Sequence, residues 1–218
     1  MTTRRQMLTL AATVAILASA GAPIRAQAAL SPPALSAGDQ ALVDRAVAYL
    51  QGLTEARGHF VQIDGRGAMS HGELFLKRPG KARFAYDPPS GLLVVSDGGR
   101  VIVSDSRLDT FTAYPLGATP LSLFLAKTIR LDKGVQVTRV TRAADGFSIT
   151  ARDGKKETAG QIQLSFTNSP VSLVAWEVTD AQGRTTQVRI TGLEHVSGLD
   201  PSLFVLKNPH PKTADPGL

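Results

Sequence analysis

Lys81-Ala82-Arg83-Phe84-Ala85-Tyr86-Asp87 is the stretch that decides the fold, because Ala82, Phe84 and Tyr86 alternate with Lys81, Arg83 and Asp87. A period of two sends successive side chains to opposite faces, so the segment reads as a strand with one apolar and one wetted face. Further on, Ile162, Leu164 and Phe166 alternate in the same way with Gln161, Gln163, Ser165 and Thr167. Less clean versions cover 59–63, 74–77, 92–95, 101–103, 110–114, 135–140, 147–151, 173–178 and 185–190, about eleven strands in all. Asp97-Gly98-Gly99, Asp145-Gly146, Asp153-Gly154 and Gln182-Gly183 lie between them and tolerate positive φ. Consecutive antiparallel hairpins follow from that spacing.

Two segments break the period. Leu42, Val43, Ala46, Val47, Leu50 and Leu53 fall on one helical stripe, with Asp39 placed to cap its start and Gly52 and Gly58 bracketing its end. In mid-chain, Thr119-Pro120-Leu121-Ser122-Leu123-Phe124-Leu125-Ala126 offers a capping Thr, a Pro for the first turn and an apolar run. A long meander of half-apolar strands curls, and two apolar helices need its concave side for burial. The expectation is mainly β with a few helices: an unclosed antiparallel barrel with a helical lid, as one domain over 39–208, after a loose leader at 29–38 and before a tail at 209–218.

The N-terminus has the layout of an export signal. Arg4 and Arg5 precede an uncharged run from Leu8 to Ala20, and Ala26-Gln27-Ala28 supplies small residues for cleavage near Ala28. Thr3-Arg4-Arg5-Gln6-Met7-Leu8 also has the look of a twin-arginine signal, and both export routes stay open. The run is short of the ~20 apolar residues of a membrane span. Removing 1–28 takes away Arg4, Arg5 and Arg25 and no acid, so 24 basic residues become 21 against 18 acids and the net charge falls from +6 to +3. The remaining basic residues are scattered, which argues against a nucleic-acid partner. With no Cys there is neither a disulfide nor a thiol to acylate, so the core alone must hold the fold and the chain is not itself lipid-anchored.

Chemistry is thinly supplied. The four His, at 59, 71, 195 and 210, sit in no metal-binding or nucleophile motif. Acid pairs such as Glu73 with Asp87, or Asp97 with Asp105, lie at strand ends and turns where Asp is common. Neither a catalytic residue, nor a metal site, nor a cofactor is expected, and a small hydrolase is set aside for want of a constellation. What the strands do supply is a surplus of apolar surface. Periodicity alone leaves a filled core and a cavity for a hydrocarbon ligand equally open.

Gly72-Glu73-Leu74-Phe75-Leu76-Lys77-Arg78-Pro79-Gly80-Lys81-Ala82-Arg83-Phe84 resembles the hallmark segment of the LolA family, periplasmic chaperones that carry outer-membrane lipoproteins. Gly58-His59-Phe60-Val61-Gln62, Val94-Val95-Ser96-Asp97-Gly98, the Thr119-Pro120-Leu121 helix, the Trp176 strand with Asp180–Gly183, and Pro201-Ser202-Leu203-Phe204 match further family segments in order. The resemblance spans roughly 39–208. It implies an apolar cavity that takes acyl chains, for which Phe60, Leu74, Leu76, Ala82, Phe84, Tyr86, Leu121, Phe124, Leu125 and Trp176 are the candidates. It also implies that Arg78 is a lid latch, a role suited to a guanidinium whose five donors can tie carbonyls in one geometry. One departure from the family is Ala82, where some members have a large aromatic; here Phe84 is the next aromatic on the same strand face.

The implied partners are acylated outer-membrane lipoproteins, an inner-membrane ABC-type releasing complex and, where one exists, an outer-membrane acceptor, with the carrier a monomer in the periplasm. Lys77 and Lys81, near the rim, are candidates for the transporter's docking surface. The alternative keeps the fold and changes the task, to a periplasmic protein that binds free lipid or senses it in envelope stress signalling. Relatives of that kind usually carry a further C-terminal domain, and this chain ends about ten residues after Lys207, which favours the carrier.

Overall fold

The computed structural model describes residues 35–131, 135–153, 160–180 and 182–208. The export signal at 1–28, the leader up to 34, the Asp153-Gly154 turn and the tail at 209–218 lie wholly or partly outside the described residues. Eleven antiparallel strands form a single sheet: β1 (Glu55–Ile63), β2 (Met69–Lys77), β3 (Lys81–Tyr86), β4 (Leu92–Asp97), β5 (Arg100–Asp105), β6 (Thr110–Pro115), β7 (Val135–Arg142), β8 (Gly146–Asp153), β9 (Gln161–Thr167), β10 (Leu173–Thr179) and β11 (Thr185–His195). Their order is β6-β5-β4-β3-β2-β1-β11-β10-β9-β8-β7, so β6 and β7 are the two edges and the sheet is not closed.

That order follows from hairpins. The first six strands build outward from β1, the last five build inward to β11, and β1 pairs with β11 to join the halves. The two halves are linked by 116–134, which must pass from one edge of the sheet to the other. This link carries a 3-10 turn (Leu116–Ala118) and the short helix α2 (Leu121–Leu125).

All eleven expected strands exist, and most extend a few residues beyond the periodic core of each segment. The edges of the pattern fail because a strand continues wherever its ladder does, whatever its side chains. Gly58, read as helix-terminating, instead lies inside β1 where the register against β11 shifts. A Cβ there would meet the backbone of Leu193 at 3.1 Å and of Thr191 and Gly192 at 3.2 Å, so this bulge lets β11 come close only because the side chain is hydrogen.

Helix α1 (Ala37–Gly52) begins two residues before Asp39, and Ser36 is its cap. The Ser36 hydroxyl accepts from the Asp39 amide at 3.1 Å and donates to the Asp39 carboxylate at 2.7 Å. The hydroxyl thus satisfies one free donor of the first turn and is itself held by the Asp39 carboxylate, a side-chain variant of the Ser-x-x-acid pairing in a capping box. Thr119 does not cap α2 either. Its hydroxyl turns back to the Leu116 carbonyl at 2.8 Å, and Pro120 precedes the helix without a side-chain cap.

Val43, Ala46 and Leu50 of α1 and Phe124 and Leu125 of α2 are buried in one apolar cluster with the inner faces of β1–β3 and β8–β11. The outer face is not wholly wet. Val95 and Ile102 pair across β4 and β5 on that face and are buried there, together with Phe204 of the terminal 3-10 turn (Pro201–Phe204). Arg83 Nη1 donates to the Leu203 carbonyl at 3.1 Å, and Lys77 Nζ donates to the Leu199 carbonyl at 2.8 Å and pairs with Glu55 at 3.1 Å. The chain after β11 is thus strapped to the back of β1–β4. The Leu199 amide and then Lys77 hold the Glu55 carboxyl below its ordinary pKa.

Candidate functional site

The β2–β3 turn is where sheet and helices meet. Arg78 is half-buried; its two terminal nitrogens donate to the Leu50 carbonyl in the last turn of α1 and to the Ala126 carbonyl just after α2, the second at 2.6 Å. Its own amide bonds to the Thr54 carbonyl at 2.7 Å, and the Gly80 amide bonds to the Leu125 carbonyl at 2.8 Å. These carbonyls lie at or just past helix ends; Leu50 also accepts a long bond of 3.3 Å from the Leu53 amide, so Arg78 adds a second donor to it. Burial lowers the Arg78 pKa from its usual value, and its Nε is buried without a partner. Hydrogen bonds from a charged donor are stronger than neutral ones, so the grip on these carbonyls is firm.

Gly80 can make this turn because it sits at φ +79°, and a Cβ there would meet the Gly98 Cα at 2.7 Å. The buried Ser96 hydroxyl donates to the Gly80 carbonyl at 2.6 Å, fixing the turn against β4. A second bridge, not anticipated from sequence, joins the helices without the sheet. The Gln51 side chain donates to the Lys127 carbonyl at 3.1 Å and accepts from the Ile129 amide at 2.9 Å. Nothing in a helical hydrophobic pattern singles out a polar residue near its C-terminus, so this contact had no sequence signal.

The ten cavity candidates come together. Phe60, Leu74, Leu76, Ala82, Phe84, Phe124, Leu125 and Trp176 are buried in the cluster under the helices, and Tyr86 and Leu121 pack against it. Five aromatics run through it edge to face or tilted, from Tyr86 to Phe60 (4.9 Å between centroids), Phe84 (5.6 Å), Trp176 (5.9 Å) and Phe124 (6.1 Å). Phe124 comes from α2, so the lid helix supplies the last ring of the series. Gly72 makes room for Phe60: a Cβ there would lie 2.8 Å from two ring carbons and against the Ala85 carbonyl.

With the helices in place these side chains pack on one another as a filled core. A cavity of about 130 Å³ opens beside them, between Thr119, Pro120 and Leu123 on the lid side and Ala151, Arg152 and Ile162 on the strands, and none of the ten lines it. That is smaller than the roughly 300–1,000 Å³ usual for ligand sites. Lys77 is engaged by Glu55 and Leu199, so it is no open rim charge. Among the described residues no group of three or more His, Cys, Asp or Glu could hold a metal ion, and no helix is long and apolar enough to cross a membrane.

An open antiparallel half-barrel, apolar inside and covered by two helices pinned at one arginine, defines the class of the molecule. The model of the family "Outer membrane lipoprotein carrier protein LolA" matches residues 51–207, and the chain belongs to that family. It is 30% identical over 154 residues to an outer-membrane lipoprotein carrier protein of Xanthomonas campestris pv. campestris, covering 66% of this chain and 73% of the relative. The corresponding protein of Chromobacterium violaceum is 27% identical over 195 residues, covering 86% and 93%. Among solved structures, a LolA superfamily protein of Nitrosomonas europaea aligns with TM-score 0.45 and 10% identity over 79% of this chain and 99% of that one. MucB aligns with TM-score 0.44 and 14% identity over 79% and 64%.

Proposed function

We propose that this chain is a non-enzymatic periplasmic carrier. It takes up acyl chains of lipoproteins released from the inner membrane, by an ABC-type complex, and delivers them to the outer membrane. The observation that carries the reading is the two-carbonyl grip of Arg78 on α1 and on the residue after α2, directly above an aromatic-lined apolar core. Membership of the lipoprotein-carrier family and the names of its relatives support the same reading.

Energetics favour a lid that must be opened. Burying hydrocarbon stabilises by roughly 0.8 kcal/mol per CH₂, so one long acyl chain fully enclosed approaches about 12 kcal/mol, a nanomolar affinity. Enclosing every chain of a multiply acylated protein would leave no route to release. Here α2 must withdraw Phe124 and Leu125 from the core before a chain can enter, and Arg78 must give up its carbonyls. That cost is subtracted from the gross affinity and returned when cargo leaves.

The test is recovery of the exported protein without detergent, followed by mass spectrometry of whatever accompanies it. N-terminally acylated proteins that are displaced by an apolar competitor are expected. Free phospholipid or glycolipid alone would move the function to lipid transport or sensing, and an empty protein would count against any apolar cargo.

A further inference from the structure

Among the described residues the sheet has two unpaired edges, β6 and β7, and they are treated differently. β7 carries Arg139 and Arg142, its register against β8 shifts between Val137 and Arg139, and Arg142 is tied to Asp39 at the start of α1 at 2.7 Å. Charge, bulge and cover are the usual ways of keeping an edge from pairing with another chain. β6, Thr110-Phe111-Thr112-Ala113-Tyr114-Pro115, has no charged residue, pairs with β5 in unbroken register, and five of its six residues are exposed. Its composition is β-branched and aromatic, the kind that favours strand pairing. Only Pro115, lacking an N–H, limits the row of donors at one end.

The same edge is where the apolar interior reaches the outside. Facing partners run in rows across the strands, one from Leu74 through Phe84, Val94 and Val103 to Thr112, another from Leu76 through Ala82, Ser96 and Val101 to Tyr114. Burial persists along the second row until β6, where Tyr114 is 49% exposed. Gly117 and Ala118, just past β6, line the cavity beside α2, and its far wall includes Ala151 and Ile162 of the core cluster. A cavity bordering the core thus begins next to the C-terminal end of an edge that Pro115 alone guards.

We infer that β6 takes up the first extended residues of the carried polypeptide by strand addition, while its acyl chains occupy the core. The inference rests on the carrier reading. A lipoprotein joins its acyl chains to its first residue, so a chain seated in the core places the following residues at that cavity. Those residues are then beside a row of free backbone donors and acceptors. Strand addition uses only backbone bonds, which suits one carrier serving many cargo sequences. The uncharged face of β6 fits an uncharged, flexible segment better than a charged one.

The probe is a synthetic peptide whose N-terminal cysteine bears two palmitoyl chains and is followed by six uncharged residues. It is compared with two versions N-methylated at alternate amides, one set odd and the other even. Only alternate amides of an added strand face its partner, so one methylated version should bind about tenfold more weakly and the other nearly as well as the parent. Ala113→Lys should weaken the unmethylated peptide by a similar factor while leaving binding of palmitate unchanged. Equal binding of all three peptides overturns the inference and leaves the carrier intact. A change of oligomeric state in Ala113→Lys without loss of peptide affinity assigns the edge to a second copy and also overturns it. Failure of every lipopeptide and of palmitate to bind removes the carrier reading, and this inference with it.

Discussion

At the scale of single residues, Arg78 is bonded to the end of α1 and to the residue after α2 through partners that carry no charge. Its hydrogen bonds to Leu50 and Ala126 are of the charged-donor kind, each worth roughly 1.5–3 kcal/mol when lost without replacement. Opening wets the freed groups, so the net cost is smaller. Arg78→Leu removes both bonds and should weaken closure, so that bound cargo is retained; this is checked by transfer of a labelled lipoprotein to acceptor membranes, and efficient release from the variant would argue against a latch. Tyr86 tests the core beneath. Its hydroxyl donates to Gln62 at 2.7 Å, and burial pushes its pKa up from 10.0 to about 12. A raised phenol pKa means stability that is fully present below pH ~10 and drains away as pH rises towards 12, because only the unfolded chain ionises freely in that window. Denaturant titrations at pH 8 and pH 11 should show a steeper alkaline loss in the parent than in Tyr86→Phe; equal losses would mean Tyr86 does not feel its burial.

At the scale of elements, α2 is too short to hold itself together, since isolated helices need about 12–15 residues. Its order comes from Phe124 and Leu125 in the core and from the bonds of Arg78, Gly80 and Gln51 to the segment 125–129. A lid made this way is stable only while docked. Hydrogen exchange should therefore report loading: the Gly80 amide, bonded to Leu125, and the Ile129 amide, bonded to Gln51, are expected to exchange faster when lipoprotein is bound, while the central β1–β2 ladder keeps its protection. Unchanged exchange at both amides would mean cargo enters without moving the lid. Helix α1 has stronger local support, with sixteen residues and the Ser36–Asp39 cap. That cap was legible as Ser-x-x-Asp, yet the apolar stripe drew the start of the helix to Asp39. A stripe marks which face is buried, whereas a cap marks where the backbone turns.

At the scale of the whole molecule, eleven strands on one sheet follow from hairpin turns between short alternating runs, and the alternation also put Ala82, Phe84, Ile162, Leu164 and Phe166 on the face that is buried in the core. Those are local properties. A strand's period and a turn's tolerance of positive φ are set by neighbours in the chain, so sequence determined the strand count, the two helices and the inner face, while Arg78 was singled out by the family resemblance alone. The joining of β1 to β11, the filling of the core by its own side chains, and the meeting of Arg78 with both helices depended on the tertiary structure. So did the second apolar layer, where Val95 and Ile102 are buried on the outer face and the turn carrying the buried Phe204, more than ninety residues away along the chain, packs on β3 and β4. The physical reason is common to all of these. Side-chain periodicity fixes which way a residue points, but what it touches depends on how distant segments share a limited volume, and no local pattern encodes that.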